Sequence, residues 1–76
     1  MFGEDEIRRF LMERIATRCR LPLADVDPDR PLEEFGLSSR DAVAVAGELE
    51  VLLGRELGPT LVWEYPTINR LARGLA

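Results

Sequence analysis

The sequence predicts an all-α fold, a four-helix bundle with three longer helices, one short helix and a long loop between helices 1 and 2. Apolar residues recur every three or four positions in segments that prolines and glycines separate, which is the pattern of amphipathic helices. No segment alternates apolar and polar residues over enough positions to build a sheet. With 76 residues, the chain has room for one domain, taken as residues 1–76.

The composition fits a folded domain and argues against several classes of function. The chain is 46% apolar and 32% charged, which is too apolar for a disordered tail. Its net charge of -4, from 10 basic residues against 14 acidic ones, argues against a nucleic-acid partner. No apolar run reaches the roughly 18 residues that span a bilayer, and the N-terminus lacks the pattern of a signal peptide. We therefore expect a cytoplasmic monomer without a membrane partner.

The first helix is predicted to run from Glu4 to Cys19. Acidic residues occupy its first turn and Arg18 its last, as the helix dipole favours, and Pro22 follows its end. One stripe of the helix is apolar and should face the core: Ile7, Phe10, Leu11, Ile15 and Cys19. Cys19 is the single cysteine and is expected to be a free thiol.

Residues 20–38 are predicted to form a long loop, because prolines and aspartates are interleaved there. The apolar side chains of this segment are expected to pack beneath it: Leu21, Leu23, Val26, Leu32, Phe35 and Leu37. Asp25, Asp27 and Asp29 are spaced like calcium ligands. Pro28 and the lack of the glycine and glutamate of a calcium loop favour a solvated turn instead.

Helix 2 is predicted to begin at Ser38, which can cap the helix together with Asp41, and to end at Gly54 after about fifteen residues. Four of its residues are predicted to face the core: Val43, Ala46, Leu49 and Leu53. Five others then face solvent or a partner: Arg40, Ala44, Gly47, Glu48 and Val51. A helical glycine costs about 1 kcal/mol relative to alanine, so Gly47 is either a permissive surface position or a point of close approach.

Two more helices are predicted after the Gly54–Pro59 connection. Thr60 can cap a short helix that Pro66 ends, and Thr67 can cap a final helix. The final helix is expected to bury one face: Ile68, Leu71, Ala72 and Leu75. Trp63 is expected to anchor the short helix in the core rather than to bind a ligand.

The residue types argue against catalysis by the chain itself. Without histidine there is no ordinary Ser-His or Cys-His pair, and no nucleophile-elbow, P-loop or dinucleotide-binding motif is present. We predict no enzyme, no catalytic residue and no metal site. What remains is Ser39 at a helix start after Gly36, where unpaired backbone N–H groups suit a phosphate.

Two segments resemble acyl carrier proteins, that is, phosphopantetheine-binding carrier domains, of the polyketide-synthase type. Pro31-Leu32-Glu33-Glu34-Phe35-Gly36-Leu37-Ser38-Ser39 is similar to the attachment region, and Leu57-Gly58-Pro59-Thr60-Leu61-Val62-Trp63-Glu64-Tyr65-Pro66-Thr67-Ile68 to the third-helix and Pro-Thr segment. The resemblance implies that Ser39 carries 4'-phosphopantetheine, covalently attached from coenzyme A. Ser39 is preferred to Ser38 because of its spacing from Gly36 and because Ser38 is the better helix cap. Ser38 and Arg40 depart from the Asp and Leu that usually flank the modified serine.

The resemblance also implies the function and the partners. The chain would hold acyl intermediates as thioesters in polyketide or related lipid biosynthesis. Its partners would be a phosphopantetheinyl transferase, an acyl-loading enzyme (an acyltransferase or an acyl-adenylating ligase), and a ketosynthase or other synthase domains. The expected partner surface comprises Leu37, Ser38, Arg40, Ala44, Gly47, Glu48 and Val62. Fatty-acid and peptidyl carriers fit the residues less well. The alternative from another class is an unmodified helical module that binds a protein partner.

Overall fold

The described part of the chain contains four α-helices in succession. The computed structural model describes residues 2–58 and 61–76, and the side chains of all of these except residues 62 and 63. The helices are α1 (Glu4–Cys19), α2 (Ser39–Leu53), α3 (Leu61–Glu64) and α4 (Ile68–Leu75). The connection from α1 to α2 contains two 3₁₀ turns, Leu23–Asp25 and Leu32–Phe35. The described ranges contain no strand, only an isolated bridge between Pro31 and Thr67, so the all-helical prediction is confirmed.

Helix α1 packs one apolar stripe into the core, as its spacing predicts. Ile7 and Leu11 are 0% exposed and Ile15 is 1% exposed, while Phe10 and Cys19 are half-buried against them. The helix ends at Arg20, which adopts the left-handed conformation with φ 56° and donates its N–H to carbonyls of the last turn. This conformation turns the chain before Pro22 and starts the long connection to α2.

Helix α2 buries Ala46 and Leu49 as predicted, and Leu53 is half-buried against the core. Its buried residues are Ala42, Val45, Ala46 and Leu49. The prediction that Val43 faces the core is wrong, because 53% of its surface is exposed. Ala42 occupies the inward position instead, and successive helical residues point about 100° apart, so Val43 is turned away from the core.

Of the six apolar residues predicted to pack beneath the long connection, three are buried. Val26, Leu32 and Phe35 are buried, and Leu21 and Leu37 are half-buried. The prediction for Leu23 is wrong, since this side chain opens the first 3₁₀ turn and is 50% exposed. Val26, which directly follows that turn, is buried as predicted.

The start of α4 holds the long connection through backbone and side-chain hydrogen bonds. The Leu32 N–H donates to the Pro66 carbonyl at 2.8 Å, and the Asn69 N–H donates to the Pro28 carbonyl at 3.0 Å. The Asn69 side chain donates to Asp29 and accepts from Arg8 Nε of α1. Asn69 therefore links α1, the connection and α4, and it fixes the segment that leads into α2.

Helix α4 begins and packs as predicted. Thr67 Oγ1 accepts a hydrogen bond from the Arg70 N–H at 3.1 Å, which caps the helix. Ile68, Leu71 and Ala72 are buried. The predicted cap at Thr60 and the predicted packing of the Trp63 side chain lie outside the described part of the molecule. No helix among the described residues is long and apolar enough to cross a membrane.

Candidate functional site

A glycine turn sets the direction in which the chain enters α2. Gly36 ends the Leu32–Phe35 turn with φ 78° and ψ 24°, a left-handed conformation that side chains with a Cβ rarely adopt. Apart from the adjoining residues, no heavy atom lies within 4 Å of the position a Cβ would take, so the backbone angle rather than space calls for glycine. Leu37 follows half-buried, and the chain then emerges at Ser38 and Ser39.

Ser38 is the cap of α2, as predicted. Its Oγ accepts a hydrogen bond from the Asp41 N–H at 3.1 Å and donates one to Asp41 Oδ2 at 3.0 Å. The cap therefore satisfies one of the free N–H groups of the first turn. Because it both donates and accepts, the Ser38 hydroxyl is committed to the helix start.

Ser39 is the first residue of α2 and is exposed. The hydrogen bonds of this turn engage the neighbouring Ser38 hydroxyl. The N–H groups of a first helical turn point outward, and the helix dipole places partial positive charge there. A phosphate ester on Ser39 would therefore lie at the end of the helix that favours an anion.

Arginines of α1 hold the acidic residues of α2. Arg18 lies 2.9 Å from Glu48 Oε1 and 3.5 Å from Asp41 Oδ1, and Arg14 lies 3.3 Å from Glu48 Oε2. We call this group, Arg14, Arg18, Asp41 and Glu48, the arginine clasp. The hydrogen bond with Glu48, followed by the charges of Glu48 and Asp41, raises the pKa of Arg18 above its ordinary value, although burial acts in the opposite direction. Asp41 thus connects the clasp to the Ser38 cap.

Cys19 lies beside the clasp as a free, half-buried thiol. Burial first, and the negative charge of Asp41 second, raise the pKa of this thiol. At neutral pH the sulfur therefore stays protonated, and it is a poor nucleophile and a poor metal ligand. The described residues also contain no cluster of three or more cysteine, aspartate or glutamate side chains that could hold a metal ion.

Not all of the residues predicted for the partner surface are exposed. Ser38 and Arg40 are exposed, while Leu37, Ala44 and Gly47 are half-buried. Glu48 was expected to face solvent or a partner, but its carboxylate points to α1 within the clasp and its side chain is 30% exposed. The side chain of Val62 lies outside the described part of the molecule.

Sequence reasoning missed two features of this region. The first is the exposure of Val43, which joins Arg40 and the 84%-exposed Val51 on one side of α2. The second is the arginine clasp. Its only sequence signal is the four-residue spacing of Arg14 and Arg18, which places both side chains on one face of α1.

The chain matches a family model and several curated proteins. The phosphopantetheine attachment site family matches residues 9–75. The chain is 47% identical over 74 residues to a phenolphthiocerol/phthiocerol polyketide synthase of Mycobacterium tuberculosis, covering 97% of this chain and 4% of that protein. It is 35% identical over 71 residues to a 6-methylsalicylic acid synthase of Arthrobotrys oligospora, covering 92% of this chain and 4% of that protein. The chain therefore spans a small part of the length of these relatives.

Solved structures share the fold. A free-standing peptidyl carrier protein of Acinetobacter baumannii superposes with a TM-score of 0.91 at 38% identity, covering 96% of this chain and 91% of that one. An acyl carrier protein of Anabaena with a variant phosphopantetheinylation-site sequence superposes with a TM-score of 0.86 at 33% identity, covering 96% of this chain and 83% of that one.

The family match extends from α1 through the long connection and α2 to the last helix. The residues around the start of α2 suit the group that this family carries, because an exposed hydroxyl stands at a helix N-terminus. The chain belongs to the phosphopantetheine attachment site family: it is a carrier domain with a covalent 4'-phosphopantetheine arm and is not itself an enzyme.

Proposed function

We propose that residues 1–76 form a single acyl carrier domain in which Ser39 bears the 4'-phosphopantetheine arm. The four helices and the long connection would then correspond to the four-helix bundle of such carriers. The observation that carries the assignment is the difference between the two adjacent serines. The Ser38 hydroxyl is engaged with Asp41, whereas Ser39 is the exposed first residue of the helix.

The attachment would be a phosphoryl transfer catalysed by a phosphopantetheinyl transferase with magnesium and coenzyme A. Ser39 Oγ forms a bond to the phosphorus that carries the pantetheine, and the pyrophosphate bond of coenzyme A breaks. Adenosine 3',5'-bisphosphate leaves, and the serine proton passes to a base of the transferase. The carrier contributes an accessible hydroxyl and the positive end of α2.

The carrier would act by tethering. The thiol of the arm holds the acyl group as a thioester, and attachment to one protein raises the effective concentration of that group at each partner. We propose that an acyltransferase or acyl-adenylating ligase loads the arm. A ketosynthase or another synthase domain would then use the loaded carrier. The partner surface would include Leu37, Ser38, Arg40, Ala44 and Gly47, with Val62 added from the sequence alone.

The setting is proposed to be polyketide or related lipid biosynthesis, in the cytoplasm and with a monomeric carrier. The names of the curated relatives, which include two polyketide synthases and a 6-methylsalicylic acid synthase, support this assignment. Incubating the modified protein with acyltransferases, acyl-adenylating ligases and amino-acid-activating enzymes would define the cargo. Loading by an amino acid alone would replace the polyketide assignment with a peptidyl one.

Intact mass spectrometry tests the attachment site. Apo protein incubated with coenzyme A, magnesium and a broad-range phosphopantetheinyl transferase should gain one phosphopantetheine group. The Ser39→Ala variant should gain none, and the matched Ser38→Ala variant should still be modified. If the Ser39→Ala protein gains the same mass, the attachment site is a residue other than Ser39. Failure of the wild-type chain with several transferases would favour the unmodified interaction module.

A further inference from the structure

Two adjacent serines stand where α2 begins, and either residue type could cap the helix. A helix capped by Ser38 starts with Ser39, whereas a helix capped by Ser39 would start one residue later. The hydroxyl of the capping serine is occupied, because it accepts a backbone N–H of the first turn. The choice of cap therefore determines which of the two hydroxyls is free to react.

The structure has Ser38 as the cap. Its backbone is extended, with φ -74° and ψ 164°, and its carbonyl accepts the Ala42 N–H at 2.9 Å. Its hydroxyl accepts the Asp41 N–H at 3.1 Å and donates to Asp41 Oδ2 at 3.0 Å. A hydroxyl that attacks phosphorus needs a free lone pair and a proton that a base can remove. In Ser38, Asp41 engages both the lone pair and the proton.

The sequence offers this reciprocal arrangement to Ser38 alone. A capping box requires a side-chain acceptor three residues after the cap. The residue three positions after Ser38 is Asp41, whose carboxylate is such an acceptor. The residue three positions after Ser39 is Ala42, which has no polar side-chain atom and is 5% exposed. Asp41 therefore favours the helix that starts at Ser39 over the helix that starts one residue later.

Arg18 of α1 holds the Asp41 carboxylate from the other side. The guanidinium lies 3.5 Å from Asp41 Oδ1, while Ser38 donates to Oδ2, so each carboxylate oxygen has its own partner. Arg18 is itself oriented by Glu48, whose Oε1 lies 2.9 Å away. The start of α2 is thus tied to α1, and the position of the first turn depends on tertiary packing as well as on local capping.

We infer that Asp41, held by Arg18, selects Ser39 over Ser38 as the attachment residue, because it commits the Ser38 hydroxyl to the helix cap. The inference rests on the proposed function and deepens it. Asp41 and Arg18 are positioning residues, since they act through Ser38 rather than on the reacting phosphorus. Without the Asp41 carboxylate, a minor population of the protein should cap α2 with Ser39 and release Ser38 from the helix.

The share of the arm on each serine tests the inference. The protein is incubated with coenzyme A, magnesium and a broad-range phosphopantetheinyl transferase, and the peptide with both serines is fragmented by electron transfer. The wild type should carry less than about 1% of the arm on Ser38. Asp41→Ala should raise this share to about 10%, the upper end of a typical minor conformational population. Arg18→Gln should raise it by about threefold, in keeping with a partly exposed ion pair.

This share is a ratio within one sample, so a change in overall stability or in transferase affinity does not alter it. Arg14→Gln is the matched control, because it removes the clasp arginine that contacts Glu48 and should leave the wild-type share. Asp41→Glu should also keep the share low, since glutamate is the usual partner in a capping box.

Two results would overturn the inference and leave the proposed function intact. The first is an Asp41→Ala product confined to Ser39, and the second is an equal Ser38 share in Arg18→Gln and Arg14→Gln. The comparison of the two arginine variants keeps the test decisive if Asp41→Ala does not fold. A wild-type product attached at a residue other than Ser39 would instead count against the proposed function.

Discussion

Helices α2 and α4 of this carrier each contain a glycine, Gly47 in the middle of α2 and Gly74 in the last turn of α4, and the two glycines have opposite surroundings. Apart from its chain neighbours and the nearby backbone of its own helix, a Cβ at Gly47 of α2 would meet no heavy atom within 4 Å. A Cβ at Gly74 of α4 would lie 2.5 Å from Cε1 and 2.8 Å from Cζ of the Tyr65 ring. Gly74 is exposed, but a Cβ there would overlap the Tyr65 ring, whereas a Cβ at Gly47 would overlap no side chain. The comparison indicates that the last turn of α4 lies against Tyr65, whereas the Gly47 position of α2 has open space beside it.

Helices α4 and α2 also differ in their polar contacts with the rest of the protein. The first turn of α4 is joined to the long connection through backbone hydrogen bonds at Pro66 and Pro28, and to α1 through Asn69. Helix α2 buries Leu49 and its neighbours, but its polar link to α1 is the partly exposed arginine clasp. Exposed ion pairs contribute about 0–1 kcal/mol, so the clasp adds little stability. Its larger effect is on which charges α2 presents.

Substitution of Gly74 should produce the largest change in stability. Gly74→Ala brings the new methyl group against the Tyr65 ring, and displacing this ring, which is half-buried against the core, should cost about 1–3 kcal/mol. Urea unfolding followed by circular dichroism should show a lower midpoint. The double variant Tyr65→Ala with Gly74→Ala is the control, because the penalty of the second substitution should disappear once the ring is absent. An equal penalty in both backgrounds would show that Tyr65 is not the cause.

The two helix caps provide the next comparison. Ser38→Ala and Thr67→Ala each remove an oxygen that accepts an N–H of the first turn, which costs about 1 kcal/mol. Ser38 also donates to Asp41 Oδ2, so its loss should be the more costly of the two. Thermal unfolding of both variants measures the difference. A Thr67→Ala variant that is less stable than Ser38→Ala would contradict this ranking.

Gly47→Ala should have a smaller effect of opposite sign. In the absence of a steric conflict, alanine stabilises the interior of a helix relative to glycine by up to about 1 kcal/mol. Unfolding in urea should therefore give a higher midpoint than for the wild type, and the slope of the transition should be unchanged. A destabilised Gly47→Ala protein would remove the contrast between α2 and α4.

The features that could be predicted from the sequence are those set by a few neighbouring residues. The caps at Ser38 and Thr67 and the glycine that ends α2 depend on local hydrogen bonds and backbone angles, and each was predicted correctly. The prediction of the buried stripe of α1 was also correct, because charged residues lie between its apolar positions. The inward stripe of α2 was correct only in part, because Val43 is exposed. Residues 42–46 are apolar at every position, so their spacing does not select one face.

The site was predictable to a similar extent. Ser39 was singled out by its spacing from Gly36 and by the resemblance to carriers, and it lies exposed at the predicted helix start. The arginine clasp was not predictable, because Arg18 lies 23 residues from Asp41 and 30 residues from Glu48 in the chain. Contacts at such separations depend on how α1 and α2 pack, which the pattern of one helix does not contain.

The smallest predicted effect is the change in stability that accompanies ionisation of the Cys19 thiol. Because Cys19 lies beside Asp41 of the clasp, its pKa reports on the α2 side of the comparison. Burial first and the Asp41 charge second raise the pKa of its thiol in the folded protein. In the unfolded chain the pKa of the thiol is about 8.5. Above that pH the unfolded chain binds fewer protons than the folded one, so the free energy of unfolding falls as the pH rises to the thiol pKa of the folded protein. At any pH below the unfolded pKa, the thiol makes its full contribution to the free energy of unfolding. Alkylation by iodoacetamide across pH 7–10 should show a higher apparent pKa for the folded protein than for the protein in urea.

The Asp41→Asn variant separates the two causes of this shift. Asparagine keeps an oxygen that can accept from Ser38 but removes the negative charge, so the pKa of Cys19 should fall only part of the way to its unfolded value. Arg9→Gln, at an exposed position of α1, is the control and should leave the alkylation profile unchanged. If Asp41→Asn restored the unfolded pKa completely, charge rather than burial would govern the thiol. The contact between the end of α1 and the start of α2 would then be more open to water than the structure indicates.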